Sequence, residues 1–384
     1  MRADVLAAQS VIQQFNGGGT QYLVQTPAGV LYLIYVDSAA DLAFKKSSDG
    51  GLMWSAATAI SSAAMVTLSV WYDRWSGINA DLIHVAYTDA TTDDVLYRSI
   101  DAASSDTLST ETVIFAGAGT AGNGCLSITR ARGGNLGCFF NIDGGTEDGF
   151  AKSTDVGATW APAADSSEGA ADMVILLPGW AADNQDLMMF FWDVSANEIS
   201  RKLYDDSADS WAETSIATGM AEQVAATAFP HFDAVVDIAN SQNILVAWNG
   251  IDTANADLQA WAVTESAITP LTDVVTNGTD DQGLAAIAID TATGYWYAAY
   301  AGKSDGSENF LTATHLYYKV SKDAGTTWGP ESQLSLAARP LKWLITAPRF
   351  TGPPIFATYT DNALDEILVS VSIDRPHARM LIGV

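Results

Sequence analysis

The stretch SKDAGTTWGP (residues 321–330) reads Ser-x-Asp-x-Gly-x-Thr-Trp, and its spacing occurs twice more in the chain. SSDGGLMWS begins at Ser47, and STDVGATWAP begins at Ser153. Three copies with one internal spacing indicate a repeated structural unit. Weaker copies around Asp101, Asp206 and Asp374 extend the series. The unit therefore recurs about every 50 to 60 residues.

Short apolar runs rich in Val, Ile, Tyr, Phe and Trp fill each unit, and clusters of Gly, Asp, Asn and Ser separate them. This composition is typical of β strands joined by turns. Each unit is predicted to contain four strands, A to D, with the Ser-x-Asp string at the turn from C to D. The B strands are VLYLIYVD, LIHVAYTD, LGCFFNID, LMMFFWD, NILVAWNG, YWYAAYAG and PIFATYTD. Seven four-stranded units predict an all-β fold, a single β-propeller of seven blades, with six blades as the alternative.

The two ends of the chain are predicted to play different parts. The segment DVLAAQSVIQQF near the start has the pattern of a D strand. We expect Val5 to Phe15 to complete the last blade, because a ring closed in this way has no open edge. The alternative is that RMLIGV near the C-terminus supplies that strand. The predicted organisation is a propeller over residues 1–374 and a tail, RPHARMLIGV, over residues 375–384.

The repeated string resembles the Asp-box of the sialidase, or BNR-repeat, superfamily. The resemblance implies a structural turn, in which Asp accepts backbone N–H bonds, Gly permits a positive φ and Trp packs against its own hairpin. The residues that would form these turns are Ser47, Asp49, Gly51, Trp54, Ser153, Asp155, Gly157, Trp160, Ser321, Asp323, Gly325 and Trp328.

The resemblance also implies that binding takes place on the face formed by the B–C and D–A loops, away from the Ser-x-Asp turns. The B–C loops are acidic in every unit, and one of them holds Asp305 and Glu308. Turn chemistry alone is an equally good reason for acidic loops. The opposite face and the tail carry the candidate residues for binding or assembly, which are Arg74, Trp75, Arg130, Arg132, Arg349, Arg375 and Arg379.

Catalysis is not expected from the sequence. Sialidases carry an arginine in a Phe/Tyr-Arg-Ile-Pro string on the first A strand, whereas NGGGTQYLVQTPAGVLYLIY contains none. The acidic loops would also repel an anionic sugar. The four histidines (His84, His231, His315 and His377) form no metal-type cluster, and no cofactor is expected. The alternative function is that of a glycoside hydrolase or lectin acting on neutral polysaccharide, since such hydrolysis needs only two carboxylates.

The net charge of −27, from 45 acidic and 18 basic residues, argues against binding to nucleic acid. The sequence has neither a membrane-spanning apolar run nor an export signal, so we expect no membrane insertion. By analogy with bacteriophage propeller proteins, we expect a virion or extracellular component of a tail, fibre, nozzle or capsid. Its expected partners are other proteins, further copies of itself, or a host glycan. Cys125 and Cys138 are expected to be buried thiols, with a disulfide as the alternative.

Overall fold

Short apolar segments separated by turn residues form antiparallel β strands along the chain. The structure is a computed structural model, and it describes residues 2–6, 22–37, 39–62, 65–72, 81–118, 125–142, 147–166, 173–180, 184–193, 196–220, 232–248, 258–276, 282–310, 313–334, 343–352, 354–360 and 366–371. The regular elements of these ranges are strands. Within the same ranges, no helix has the length and apolarity needed to cross a membrane.

The first strand, β1 (Arg2–Leu6), belongs to the last sheet, and the blades follow it in chain order. Blade 1 contains β2 (Leu23–Gln25), β3 (Leu31–Val36), β4 (Leu42–Ser47) and β5 (Thr58–Ser61). Blade 2 contains β6 (Met65–Tyr72), β7 (Leu82–Asp89), β8 (Asp94–Asp101), β9 (Thr107–Leu108) and β10 (Thr112–Phe115). Blade 3 contains β11 (Leu126–Arg130), β12 (Leu136–Ile142), β13 (Glu147–Ser153) and β14 (Ala161–Ala163).

The second half of the ring repeats the same plan. Blade 4 contains β15 (Met173–Pro178), β16 (Leu187–Asp193), β17 (Glu198–Asp205) and β18 (Ser210–Thr218). Blade 5 contains β19 (Phe232–Asp237), β20 (Gln242–Trp248), β21 (Leu258–Val263) and β22 (Ile268–Pro270). Blade 6 contains β23 (Gly283–Asp290), β24 (Trp296–Ala301), β25 (Leu316–Ser321) and β26 (Ser332–Gln333). The remaining strands are β27 (Trp343–Thr346), β28 (Arg349–Phe350), β29 (Ile355–Thr360) and β30 (Glu366–Val371).

The seven predicted units appear as six blades that are continuous in sequence and one composite sheet. Six blades are each built from one uninterrupted stretch of chain, and six is the number given as the alternative in the sequence analysis. The composite sheet has the order β1-β30-β29-β27. In it β1 pairs antiparallel with β30, from Arg2 opposite Val371 to Leu6 opposite Ile367. This pairing confirms closure by the N-terminal strand.

The closing strand lies earlier in the chain than predicted. It covers Arg2–Leu6, whereas the prediction was Val5 to Phe15. Residues 7 to 15 of the predicted segment and the predicted tail over residues 375–384 lie outside the described residues.

The turn after β27 ties the composite sheet to three blades. Its strand β28 runs parallel to β23 of blade 6, with Arg349 opposite Ile289. The Thr351 amide donates to Gln25 Oε1 of blade 1 at 2.7 Å. Arg349 Nη2 donates to the Tyr72 carbonyl of blade 2 at 2.7 Å. The A–B end of the ring is thus held by contacts between blades that are distant in sequence.

The core lies between neighbouring sheets. Four tryptophans are almost fully buried there, on the A or B strands of their blades: Trp71, Trp192, Trp248 and Trp296. Large flat side chains fill the wedge that opens between two twisted sheets. Cys125 and Cys138 are buried and not disulfide-bonded, so the thiol reading is confirmed and the disulfide alternative is wrong.

Candidate functional site

The arginines of the A–B turns differ in accessibility. Arg130 is buried, and its Nε donates to the carbonyl of Gly134 in its own turn at 3.1 Å. Arg132 is half-buried, and its Nε donates to the Gly179 carbonyl of blade 4 at 2.9 Å. Its guanidinium lies 5.3 Å from the centroid of the Trp180 ring. Only Arg132 of this pair presents a side chain near the surface.

Arg349 is also an internal residue. It is buried, and its guanidinium lies 5.5 Å from the centroid of the Trp71 ring. This position suits a contact between blades rather than a ligand site on the surface. The other candidates of this group, Arg74, Trp75, Arg375 and Arg379, lie outside the described residues.

The Ser-x-Asp turn of blade 3 is a compact hydrogen-bonded loop. The Ser153 hydroxyl donates to Asp155 Oδ1 at 2.8 Å and accepts from the Gly157 amide at 2.8 Å. Asp155 also accepts the Thr159 amide at 2.8 Å and the Thr159 hydroxyl at 2.6 Å. These bonds, first of all the one from the Thr159 hydroxyl, lower the pKa of Asp155. The turn therefore holds Asp155 as a carboxylate.

The other two turns repeat this pattern with one variation. In blade 6 the corresponding bonds join Ser321, Asp323, Gly325 and Thr327. In blade 1 Asp49 Oδ1 accepts from the amides of Leu52 and Met53 at 3.0 and 2.9 Å. Met53 has no hydroxyl, so the side-chain donor of the other two turns is missing there.

The tryptophans of these turns are half-buried, and two of them contact the preceding blade. The Trp160 ring packs edge-on against Tyr97 of blade 2, with centroids 5.4 Å apart. Trp328 Nε1 donates to the Thr272 carbonyl of blade 5 at 2.9 Å. Only Trp54 bonds within its own turn, to the Gly51 carbonyl at 3.2 Å. The expectation that each Trp packs against its own hairpin is therefore incomplete, because Trp160 and Trp328 contact the preceding blade.

A polar cluster lies at the B–C end of blade 6. Glu308 comes from the loop between β24 and β25, His315 directly precedes β25, and Tyr317 is the second residue of β25. The Tyr317 hydroxyl donates to Glu308 Oε2 at 2.7 Å. His315 Nδ1 lies 3.1 Å from Oε2 of the same carboxylate. We call these three residues the Glu308 cluster.

Hydrogen bonds from the neighbouring backbone fix Glu308, while the His315 side chain stays partly exposed to solvent. Glu308 Oε1 accepts the amides of Thr314 and His315 at 2.6 and 3.1 Å. The Glu308 side chain is 15% exposed, while that of His315 is 26% exposed. Because Nδ1 faces the carboxylate, Nε2 is the ring nitrogen on the opposite side of the imidazole. The arrangement holds one imidazole in a set orientation at an accessible edge.

Hydrogen bonding decides the charge state of the cluster. Burial alone would raise the pKa of Glu308, but bonds from the Thr314 amide, the Tyr317 hydroxyl and His315 outweigh it and lower that pKa. Burial raises the pKa of Tyr317 well above its usual value, and the bond to Glu308 raises it further. Glu308 is thus a carboxylate and Tyr317 a neutral phenol at physiological pH.

Two further pairs of side chains border the cluster. The Tyr300 hydroxyl donates to Glu331 Oε2 at 2.7 Å, and the Ser304 amide donates to the same oxygen at 2.9 Å. Lys303 Nζ lies 2.5 Å from Asp305 Oδ2. The bond to Lys303 is the main cause that lowers the pKa of Asp305 to about 2. The carboxylates of Asp305, Glu331 and Glu308 therefore all act on the Lys303 ammonium and raise its pKa, first of all through the bond from Asp305.

Comparison among the blades separates repeated structure from the unusual part. Blade 2 has its own Tyr–Glu pair, in which the Tyr87 hydroxyl donates to Glu111 Oε2 at 2.5 Å. The Tyr300–Glu331 pair occupies the same strand positions in blade 6. A pair that recurs in another blade is part of the blade structure. The Glu308 cluster has no such counterpart among the described residues.

The unusual position is that of Tyr317, which lies opposite Tyr300 at the end of the B strand. In the other sheets an apolar residue or glycine occupies the place opposite the B-strand aromatic. These pairs are Tyr35 with Ala43, Tyr87 with Leu96, Phe140 with Gly149, Trp192 with Ile199, Trp248 with Leu258, and Tyr359 with Ile367.

The sequence reasoning counted Asp305 and Glu308 among many acidic loop residues and placed His315 among four histidines that form no metal-type cluster. It did not select Tyr300, Tyr317 or Glu331. The available signal was a hydroxyl-bearing aromatic at a position that is apolar or glycine in the other units. Among the described residues, no group of three or more His, Cys, Asp or Glu side chains is arranged to hold a metal ion.

Comparison with known proteins identifies the fold and no family. The sequence matches no protein-family model and no curated protein. Solved structures with the same fold include the BP39L lectin from Burkholderia pseudomallei, with a TM-score of 0.61, 15% identity, and coverage of 96% of this chain and 97% of the lectin. The lectin of Aleuria aurantia, solved with Fucα1-6GlcNAc, gives a TM-score of 0.50 and 10% identity over 80% of this chain and 94% of its own.

An enzyme shares the architecture as well. An ulvan lyase from a new family of polysaccharide lyases has a TM-score of 0.55 and 11% identity, with coverage of 96% of both chains. The expectation that this chain is not an enzyme is therefore corrected. The fold occurs in lectins and in an enzyme alike, so it provides no ground for excluding catalysis.

Proposed function

We propose that the chain is a carbohydrate-binding propeller with a glycan site at the B–C end of blade 6. The observation that carries the proposal is the Glu308 cluster, in which Glu308 and Tyr317 hold the partly exposed imidazole of His315 in one orientation. Sugar recognition relies on a few fixed polar groups that match hydroxyl directions. The two lectins of the same fold support this reading by analogy.

The position of the cluster supports the proposal further. It lies on a loop-bearing end of the blade, and loops on a rigid scaffold are where propellers place binding residues. The neighbouring Lys303–Asp305 pair is partly exposed, with side-chain exposures of 36% and 54%, and adds polar groups beside the imidazole. The predicted virion setting, the protein partners and the extracellular location stay predictions.

The test is a glycan array probed with the labelled full-length protein, followed by calorimetric titration of the best ligands. Tyr317→Phe removes the hydroxyl that donates to Glu308 and keeps the ring, while His315→Asn keeps an N–H at the Nδ1 position and removes Nε2. We expect each variant to weaken binding about tenfold, which corresponds to about 1.4 kcal/mol, with little change in melting temperature.

The matched control is Glu147→Gln. Glu147 is exposed at the start of β13, on the B–C end of blade 3. The Glu147→Gln variant should bind glycan as tightly as the wild type. Absence of any glycan ligand, or full binding by both cluster variants, would refute the proposal. The binding mixtures are also analysed for cleavage of the glycan, because the ulvan lyase has the same fold.

A further inference from the structure

The tyrosine and threonine donors at the Glu308 cluster are already engaged. The Tyr317 hydroxyl donates to Glu308, and the Tyr300 hydroxyl donates to Glu331. The Thr314 amide and hydroxyl both donate to Glu308 Oε1, at 2.6 and 3.1 Å. A phenol or hydroxyl has one proton to donate, so these groups have none left for a ligand.

His315 adds an acceptor to this surface. An imidazole nitrogen that faces an ionised carboxylate carries the proton, since two lone pairs would repel each other. In the neutral ring the proton is therefore on Nδ1, towards Glu308. Nε2 then has a lone pair, so it accepts a hydrogen bond instead of donating one.

Carboxylate oxygens near the cluster retain acceptor capacity. A carboxylate has about four lone-pair positions. Glu331 accepts its two described bonds through Oε2, from Tyr300 and Ser304. Asp305 Oδ1 accepts the amide and the hydroxyl of Ser307 at 3.0 and 2.6 Å, and Oδ2 accepts from Lys303. Lys303 is a partly exposed cation beside these carboxylates, and Asp305 balances its charge by accepting one of the three N–H groups of its ammonium.

From this arrangement we propose that the blade 6 site selects ligands that donate hydrogen bonds, and that it prefers amino sugars to N-acetylated or uronic-acid sugars. The inference rests on the proposed carbohydrate-binding function and names its ligand class. An ammonium group offers three donors and a positive charge to an acceptor-rich surface. A uronate presents only acceptors at its carboxylate, so it meets repulsion instead.

The experiment compares three oligosaccharides of equal length: glucosamine oligomers, N-acetylglucosamine oligomers and galacturonate oligomers. Calorimetric titration of the full-length protein is carried out at neutral pH and physiological ionic strength, where long-range attraction is screened. We expect the glucosamine oligomer to bind about tenfold more tightly than the N-acetylated one, and the galacturonate oligomer to bind more weakly than both.

Variants separate the site from the general negative charge of the protein. Asp305→Asn removes a negative charge from the site and His315→Asn removes the Nε2 acceptor, and each should reduce the preference for the amine. Glu147→Gln removes one carboxylate from the same end of blade 3 and should leave it unchanged. An equal loss in Asp305→Asn and Glu147→Gln would mean general charge attraction, and it would overturn the inference.

The outcomes also separate the inference from the proposed function. A glycan that binds through the Glu308 cluster with no preference for amines, or with a preference for uronates, overturns only the donor selectivity. A glycan array with no ligand at all overturns the proposed function and the inference together.

Discussion

Gly157→Ala tests whether the Ser-x-Asp turns join adjacent blades. Gly157 adopts φ +86°, and a Cβ at this position would lie 2.1 Å from Cε1 of Tyr97 in blade 2. Tyr97 cannot move aside easily. It is buried, its hydroxyl lies 2.7 Å from His84 Nδ1, and its ring packs on Trp160. The substitution therefore strains both the backbone of one blade and the contact with the next.

The expected loss of unfolding free energy has two parts. The left-handed conformation costs an L-residue about 1 to 2 kcal/mol. Forcing a methyl group into a packed contact costs about 1 to 3 kcal/mol more. Gly157→Ala should therefore cost about 2 to 5 kcal/mol. Gly50→Ala is the matched control, because Gly50 has φ +74° with nothing within 4 Å of the added Cβ. It should cost only about 1 to 2 kcal/mol.

Urea unfolding followed by tryptophan fluorescence measures both variants. A lower midpoint at an unchanged slope reports lost stability. The same substitution in a Tyr97→Leu background completes a double-mutant cycle, and the cost of Gly157→Ala should fall there towards that of the control. Equal losses for Gly157→Ala and Gly50→Ala, or no coupling to Tyr97, would refute the inter-blade contact as the cause.

Replacing Asp49, Asp155 and Asp323 together by Asn should flatten the fall of melting temperature at acid pH. The pKa values of these aspartates are lowered in the folded state. Their contribution to stability is therefore present above the unfolded pKa near 3.9, and it is lost as the pH falls through the lower folded pKa values. An unchanged dependence of melting temperature on pH would contradict this prediction. Deleting residues 2–6 should lower the melting temperature and promote self-association on size-exclusion chromatography, because it exposes the edge of β30; a monomer with wild-type melting would argue against it. Cys125 and Cys138 should resist a thiol reagent in the folded protein and react after unfolding, since both are buried and burial raises the pKa of Cys138; fast labelling of the folded protein would contradict their burial.

The repeat was readable from sequence because it depends on local chemistry. Strand alternation and turn residues act within a few positions, so each unit carries its own signal. The direction of a single side chain does not have this property. Arg130 and Arg132 both occur at one A–B turn, yet Arg130 folds back onto the Gly134 carbonyl while Arg132 reaches Gly179 of blade 4. That difference depends on the neighbouring blade, which the spacing of the residues does not describe.

The Glu308 cluster was beyond sequence reasoning for a related reason. Glu308 and Tyr317 are nine positions apart and meet through a loop whose path follows from several bonds at once. Glu308 also resembled the acidic residues of every other B–C loop. Among the described sheets, the strand register that places Tyr317 opposite Tyr300 distinguishes this end of blade 6.

The composite sheet also has a consequence for how the protein folds, because it joins strands from distant parts of the chain. Arg2 pairs with Val371, so this contact can form only after both strands have been synthesised. Closing a flexible loop of several hundred residues costs about 5 kcal/mol of chain entropy. The six continuous blades can form from local contacts first, and each one shortens the remaining loop and brings the chain ends together. β1 therefore has no partner until β30 has been synthesised, and we expect its pairing with β30 to be a late step, which closes the ring of blades.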